Sequence, residues 1–251
     1  MLSRWQASTA FSHVQFFVIE PSEHFSHEDV THIKTLDALP KDFSPDMVMF
    51  AIKPQSFDDV LPEYQKRFGK KPIYISIAAG KTLGSMSLLL GEEAQIIRAM
   101  PNTPALIGEG ATVLCAPSFV STETKETATQ LMKAVGAVTR IHKESLMDAV
   151  TALSGSGPAY VFLFLESLTE AGVEAGLSAE MARMLAIQTV LGSAKLAQEK
   201  NIPFNMLREQ VTSPGGTTEA ALAVLMRDDA LKNLLKDAMN KAAERSCELA
   251  G

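Results

Sequence analysis

Short apolar runs alternate with helix-like stretches over the first part of the chain, to about residue 142. Runs that are apolar at nearly every position predict strands covered on both faces, as in a parallel sheet. They lie at residues 14–19, 47–52, 73–77, 96–100, 112–115 and 137–141. Helical periodicity is found between them at residues 56–68, 83–90 and 121–135. This alternation predicts an α/β fold with a doubly wound, Rossmann-like parallel sheet.

Beyond residue 143 the chain has only helical periodicity, which predicts an all-α region. Helices are predicted at residues 158–175, from a capping Ser178 to about residue 199, after Thr217, and from Asp228 onward. We therefore divide the chain into a sheet domain, residues 1–142, and a helical domain, residues 143–251. The first of these helices is apolar on most sides, and so small a domain cannot enclose it. A homodimer through the helical domain is expected, with a compact monomeric bundle as the alternative.

The most informative motif is the turn at residues 211–218, Val-Thr-Ser-Pro-Gly-Gly-Thr-Thr. Its two glycines allow the backbone to approach a ligand closely, and Thr217 or Thr218 can cap the helix that follows. Free N–H groups and the positive end of the helix dipole would then suit a carboxylate or a phosphate. The alternative interpretation is an ordinary turn before a well-capped helix.

Four further motifs accompany this turn, in order along the chain. They are AIKP at residues 51–54, SIAAG at 76–80, RAMPNTP at 98–104 and LSGSGPAY at 153–160, where Pro158 again opens a helix. From about residue 16 to the C-terminus, the five motifs together resemble pyrroline-5-carboxylate reductase. The resemblance implies hydride transfer from NADPH, or NADH, to the cyclic imine 1-pyrroline-5-carboxylate. The product is L-proline, and the enzyme is expected to form a homodimer or a larger homo-oligomer.

Three predicted strands end in segments suited to a nucleotide, because ligands of open α/β sheets bind beyond the carboxyl ends of the strands. The residues at these ends are Ala51, Ile52, Lys53, Pro54, Ala78, Ala79, Gly80 and Asn102. The resemblance assigns these strand ends to the nicotinamide nucleotide. It also points to Gln210, which stands where the family usually has an asparagine near the cofactor.

The resemblance places the substrate at the glycine-rich turn. Backbone N–H groups of Gly215, Gly216, Thr217 and Thr218 would hold the substrate carboxylate, and the Thr218 hydroxyl would approach the imine nitrogen. Because threonine is a poor acid, Thr218 is expected to orient and donate a hydrogen bond, directly or through water. Ser213 would support the turn or touch the ligand.

Glu20 follows the first predicted strand, and its position bears on cofactor preference. In such a sheet, an acidic residue at the end of the second strand accepts a hydrogen bond from the ribose 2′-OH of NAD. The same residue repels the 2′-phosphate of NADP. The family usually accepts NADPH. We therefore expect NADP as the cofactor, with Glu20 relaxing the preference toward NADH.

The residues before the first predicted strand contain no glycine. The family normally opens with a strand and a G-x-G-x-x-G-type turn that carries the cofactor pyrophosphate. We therefore expect the sheet to be N-terminally truncated, with Met1 an internal methionine of a longer reductase.

One alternative function is that of a non-catalytic, dimeric homologue that lacks the glycine-rich cofactor loop. Another is a related reductase acting on a different imine or a 3-hydroxy acid, although Lys195 lacks the asparagine that such an enzyme places one turn later.

Composition excludes several other classes of protein. The net charge of −6 argues against a nucleic-acid binder, whose surface would be basic. No apolar run is long enough to span a bilayer, and the first residues do not have the pattern of a signal peptide. The two cysteines and five histidines have no metal-ligand spacing. A cytoplasmic enzyme without a metal is expected.

Overall fold

The computed structural model describes residues 1–22, 27 and 30–249, and it divides the chain into two compact units. Unit 1 comprises Met1–Ser156 together with the segment from Ala242 onward, and unit 2 comprises Gly157–Lys241. The predicted division at residue 142 differs from this one. Residues 144–156 pack in unit 1 because Met147, Thr151 and Ala152 bury their side chains there.

The secondary structure alternates in unit 1 and is helical in unit 2. The strands are β1 Phe17–Ile19, β2 Thr31–Ile33, β3 Met47–Phe50, β4 Ile73–Ser76, β5 Ile96–Met100, β6 Gly110–Cys115 and β7 Gly136–Ile141. The helices are α1 Leu2–Ala7, α2 Phe57–Phe68, α3 Leu83–Leu90, α4 Thr122–Lys133, α5 Met147–Val150, α6 Gly157–Glu174, α7 Ala179–Lys200, α8 Phe204–Gln210, α9 Thr217–Leu225 and α10 Ala230–Glu248.

The strands form two sheets in the described part of the chain. β1 pairs in parallel with β2, and a separate five-stranded sheet has the order β3-β4-β5-β6-β7. β3, β4 and β5 are parallel, as predicted, and so are β6 and β7. β6 runs antiparallel to β5, which the prediction of a parallel sheet did not include. The reason is the connection between them, a short 3-10 turn at Thr103–Ile107, because a parallel pair would need a long crossover.

Helices cover both faces of the five-stranded sheet, as expected for a doubly wound fold. On one face Trp5 of α1 and Met132 of α4 pack against Ile75 and Ile97. On the other face α2 and α3 pack against the intervening strand residues, including Tyr74 and Ile96. Successive strand residues therefore point into opposite cores, which explains why the strands are apolar at nearly every position.

Several short elements of unit 1 were not predicted from the sequence, among them α1 and β2. α1 is too short to show a periodic pattern, yet its Trp5 is buried and donates a hydrogen bond from Nε1 to the Leu131 carbonyl at 2.8 Å. β2 is a strand of only three residues, with an exposed Thr31 and a partly buried Ile33. Elements this short are fixed by tertiary contacts rather than by local pattern.

Four helices, α6, α7, α9 and α10, begin close to their predicted positions, whereas α8 was not predicted. Ser178 caps α7 by accepting a hydrogen bond from the Met181 amide at 3.3 Å, as predicted. α6 packs on α7 where Gly172 lies against Ala182, and a Cβ at Gly172 would come within 3.1 Å of the Ala182 methyl group. The absence of a side chain at Gly172 therefore allows the two helices to approach closely.

Unit 2 leaves many large apolar side chains exposed in the single chain. On α6, Phe162 is 63% exposed and Phe164 is 50% exposed, and α7 has further examples in Met184 and Leu191. A surface this apolar is typical of a region that is covered by another protein subunit. None of the described helices is long and apolar enough to cross a membrane.

Candidate active site

The predicted nucleotide segments lie together at one edge of the five-stranded sheet. Because β3, β4 and β5 are parallel, their carboxyl ends meet at that edge. Residues 51–54 follow β3, residues 78–80 follow β4, and Asn102 follows β5. The structure therefore brings the segments into one row, which is where ligands of such sheets bind.

The end of β4 is shaped by small residues and by a glycine that no other residue could replace. The Ala78 amide donates to Ser76 Oγ at 3.3 Å, which turns the chain at the end of the strand. Gly80 has φ +78°, and a Cβ there would lie 2.8 Å from the backbone oxygen of Leu249. Both the backbone conformation and the contact with Leu249 exclude a side chain at Gly80.

Asn102, at the end of β5, is occupied by hydrogen bonds within unit 1. Its Oδ1 accepts from the Ala111 amide at 2.8 Å, and its Nδ2 donates to the Ser154 carbonyl at 3.2 Å. Ser154 belongs to a π-helical turn, Thr151–Gly155, and such turns often occur at functional sites. Asn102 thus fastens this turn to the strand end, and the predicted hydrogen bond from its amide to the cofactor stays a prediction.

Two charged groups stand at the other predicted cofactor positions. Glu20 follows β1, and its Oε1 accepts from the Ser22 amide at 2.9 Å. Lys53 follows β3, is exposed, and has no ion pair among the described residues. The positively charged ammonium group of Lys53 can attract the phosphate groups of a dinucleotide bound beside the small residues at the strand ends.

The turn before α9 in unit 2 has the geometry that the sequence suggested, with one difference. Gly215 has φ +71°, in the left-handed region, and α9 begins at Thr217 as predicted. The N-cap residue, however, is Gly216, and no side chain caps the helix. The predicted cap by Thr217 or Thr218 is therefore wrong, because both residues already lie inside the first helical turn.

Two of the four amides predicted to hold a carboxylate are occupied within the turn. The Gly215 amide donates to Glu219 Oε2 at 2.7 Å, and the Gly216 amide donates to the Ser213 carbonyl at 3.0 Å. The amides of Thr217 and Thr218 lie in the first turn of α9, where a helix has no internal acceptors for them. These two N–H groups are the ones that the turn leaves available for an anion.

The side chains of this region differ in exposure. Ser213 and Thr217 are exposed, Thr218 is partly buried, and Gln210 is the exposed last residue of α8. Glu219 was missed by the sequence reasoning, although it stands at N3 relative to the N-cap Gly216. An acidic residue at that position often reaches back to an amide before the helix, and this pattern could have indicated it.

The described residues bring no three His, Cys, Asp or Glu side chains together as a metal site. The acidic residues at 166, 170 and 174 of α6 are all exposed, which agrees with a solvated stripe. Backbone amides, hydroxyl groups and a strand-end lysine offer hydrogen bonding and charge to a ligand.

The two cysteines are expected to differ strongly in reactivity. Cys115 is 2% exposed, and burial, followed by the charge of Glu144, raises the pKa of its thiol. Cys247 is exposed. Since the thiolate is the reactive form, a chromogenic disulfide reagent at pH about 8 should titrate Cys247 quickly and Cys115 only after denaturation. Cys247→Ser should remove the fast phase, and rapid reaction of both thiols in the native protein would contradict the burial of Cys115.

Comparison with known proteins gives consistent results in sequence and in structure. A family model described as pyrroline-5-carboxylate reductase dimerisation matches residues 144–249. A pyrroline-5-carboxylate reductase of Pseudomonas aeruginosa is 42% identical over 205 residues, which is 82% of this chain and 75% of that protein. The one from Arabidopsis thaliana is 41% identical over 204 residues, covering 81% and 73% respectively.

Solved structures give the same result. A crystal structure of Plasmodium falciparum pyrroline carboxylate reductase with NADP bound is similar, with a TM-score of 0.84 and 31% identity. The similarity covers 99% of this chain and 95% of that one. A pyrroline-5-carboxylate reductase from Coxiella burnetii follows with a TM-score of 0.81 and 38% identity, covering 88% and 82%.

Proposed function

Since the chain belongs to the pyrroline-5-carboxylate reductase family, we infer that it reduces 1-pyrroline-5-carboxylate to L-proline with NADPH. The observation in this chain that carries the inference is the turn before α9. It contains two first-turn amides, those of Thr217 and Thr218, and the partly buried side chain of Thr218, close together at the start of one helix. The substrate offers a carboxylate and an imine nitrogen, which are the groups that such donors recognise.

The nicotinamide nucleotide supplies the hydride when it is bound, and the residues of the chain supply position and charge. We propose that the strand ends hold it, with Ala51, Ile52 and Pro54 beside β3 and with Ala78 to Gly80 beside β4. Lys53 would attract the anionic groups of the nucleotide. Asn102 supports the end of β5, and Gln210 is a further proposed contact of the nucleotide.

The substrate carboxylate would be held at the start of α9. The Thr217 and Thr218 amides point along the helix axis, and the helix dipole adds a partial positive charge at the same end. Gly215 and Gly216 would contribute by shape, because their amides bond to Glu219 and Ser213. Ser213 supports the turn through its carbonyl group.

The Thr218 hydroxyl is proposed to donate a hydrogen bond at the imine nitrogen. This contact would orient the ring for hydride delivery, and it would stabilise the nitrogen as its bonding changes. Threonine does not ionise in the ordinary pH range, so the proton that the nitrogen finally keeps comes from water. The catalytic role of Thr218 is therefore hydrogen bonding and orientation.

Two alternatives make different predictions. Membership of the family does not favour a non-catalytic homologue or a reductase for a 3-hydroxy acid. A titration of the purified chain with NADPH, followed by nucleotide fluorescence, separates the first alternative directly. We expect saturable binding at micromolar concentration, whereas no binding at millimolar NADPH would favour the non-catalytic homologue.

The family model that matches residues 144–249 describes a dimerisation region, and it accounts for the apolar surface of unit 2. The protein therefore forms a homo-oligomer through this region. We propose that it works in the cytoplasm, since a biosynthetic reductase uses the NADPH pool there. No membrane or nucleic-acid partner is proposed.

Glu20 gives a testable prediction on cofactor preference. Its carboxylate at the end of β1 would repel the 2′-phosphate of NADPH, so Glu20→Ala should shift the ratio of kcat/KM for NADPH over NADH toward NADPH. A change of about tenfold, roughly 1.4 kcal/mol, is expected. Steady-state kinetics with both cofactors measure the ratio, and an unchanged ratio would exclude Glu20 from the 2′ position.

A further inference from the structure

A partly buried ion pair lies next to the row of strand ends. Arg98, in the middle of β5, has a side chain that is only 4% exposed, that of Glu144 is 27% exposed, and Arg98 Nη1 donates to Glu144 Oε1 at 3.0 Å. Its Nη2 is buried and has no hydrogen-bond partner among the described residues. Burying a charged pair costs desolvation energy that the attraction between the charges recovers only in part. Such a pair is therefore weak evidence for stability, and a role in positioning explains it better.

The pair joins the middle of β5 to the start of α3, the helix that follows the segment after β4. The backbone of Arg98 pairs with Ser76, the last residue of β4, so the pair lies beside the strand at which that segment begins. Glu144 Oε1 also accepts from the amide of Leu83, the first residue of α3, at 2.7 Å. Between these two points lie residues 77–82, which include Ala78, Ala79 and Gly80.

We propose that Arg98 and Glu144 are positioning residues for the nicotinamide nucleotide, because their ion pair ties the start of α3 to β5, the strand that pairs with the end of β4. The inference rests on the proposed function. Neither residue needs to touch the nucleotide. By holding the start of α3 against β5, the pair limits the positions that the small residues of the segment at residues 77–82 can take.

The chain offers a matched control for this pair. Arg140 and Glu126 form an ion pair at the same distance, 3.0 Å, but their side chains are 40% and 45% exposed. That pair joins β7 to α4, away from the segment at residues 77–82. Exposed pairs contribute little, so Arg140→Gln is expected to leave cofactor binding and folding unchanged.

Two variants separate the charge of the buried pair from its shape. Glu144→Gln keeps an oxygen acceptor for the Leu83 amide but leaves the Arg98 charge unpaired. The double variant Arg98→Met with Glu144→Gln removes both charges and fills the site with a side chain of similar length. Because the double variant leaves no unpaired charge, it should fold even if the single variant does not.

The experiment measures the Kd of NADPH by fluorescence titration, together with kcat, KM for NADPH and the unfolding midpoint. For Glu144→Gln and for the double variant, the Kd and the KM are expected to rise by about tenfold. The kcat at saturating NADPH should stay within about twofold of the wild type, because Thr218 and its turn are unchanged. A purely structural role would lower the unfolding midpoint and leave the Kd of the folded protein unaltered.

The outcomes are distinct. A wild-type Kd in folded Glu144→Gln would overturn the inference, whatever happens to the unfolding midpoint. If that variant does not fold, the double variant decides in the same way. Binding of NADPH by the wild type with unchanged variants would overturn this inference alone. Failure of the wild type to bind NADPH would overturn the proposed function as well.

Discussion

Replacing Thr218 by alanine is expected to lower kcat by about 10²-fold, the usual cost of losing a positioned hydrogen-bond donor at a reacting centre. The substitution removes the hydroxyl but keeps the backbone amide in the first turn of α9. Alanine is also a good helix former, so the turn and the helix should persist. The Kd of NADPH should therefore remain within about twofold of the wild type. Steady-state kinetics with 1-pyrroline-5-carboxylate and a fluorescence titration with NADPH measure the two quantities.

Two neighbouring variants make the Thr218 result specific. Thr218→Ser keeps a hydroxyl and should recover most of the activity. Thr217→Ala changes an exposed threonine and preserves its amide, so it should have little effect on kcat. Full activity of Thr218→Ala would show that its hydroxyl does not act on the substrate.

Replacing Phe164 by glutamate is expected to raise the dissociation constant of the dimer by at least about 10²-fold. Phe164 is 50% exposed in the single chain and shares the apolar face of α6 with Val161 and Leu168. If this face is covered by the partner subunit, the variant loses an aromatic anchor and buries an unpaired charge. Each of these effects costs about 2 kcal/mol or more. Sedimentation velocity over a range of protein concentrations measures the change.

Glu166→Gln on the same helix is the control for the dimer prediction. Glu166 is exposed and lies on the opposite side of α6 from the face defined by Val161, Phe164 and Leu168. Removing its charge should leave the dissociation constant unchanged. An unchanged dimer in the Phe164→Glu variant would mean that another surface of unit 2 forms the interface.

Much of the fold could be predicted because its signals are local and repeated. Strands covered on both faces are apolar at nearly every position, so β3, β4 and β5 were placed almost correctly from the sequence. The helices of unit 2 have capping residues at their starts, as at Ser178. The reversal of β6 depends instead on the length of one connection, and the helical state of α1 depends on the burial of Trp5. Neither the reversal of β6 nor the helical state of α1 produces a periodic pattern of apolar residues in the sequence.

The sequence predicted which segments form the candidate site, but it did not predict which of their hydrogen-bonding groups remain free for a ligand. The motif at residues 211–218 predicted a turn with free amides, and the structure shows which of its amides are occupied, through Glu219 and Ser213. From the sequence, the side-chain amide of Asn102 was expected to hydrogen-bond a ligand. In the structure this amide makes hydrogen bonds to Ala111 and Ser154. The bond between Asn102 and Ser154 joins segments far apart in the chain, which no spacing reveals, whereas the contact of Glu219 is local and its N3 position could have indicated it. The role of Arg98 also needed the register of β4 and β5.

The most direct test of the proposed reaction is to measure its product and its cofactor together. The purified 251-residue chain would be incubated with NADPH and 1-pyrroline-5-carboxylate, with nucleotide oxidation followed by absorbance and L-proline quantified by chromatography. We predict that L-proline forms in equal amount to the NADPH consumed, and that Thr218→Ala slows both by about 10²-fold. Binding of NADPH without any substrate-dependent oxidation or proline formation would contradict the account.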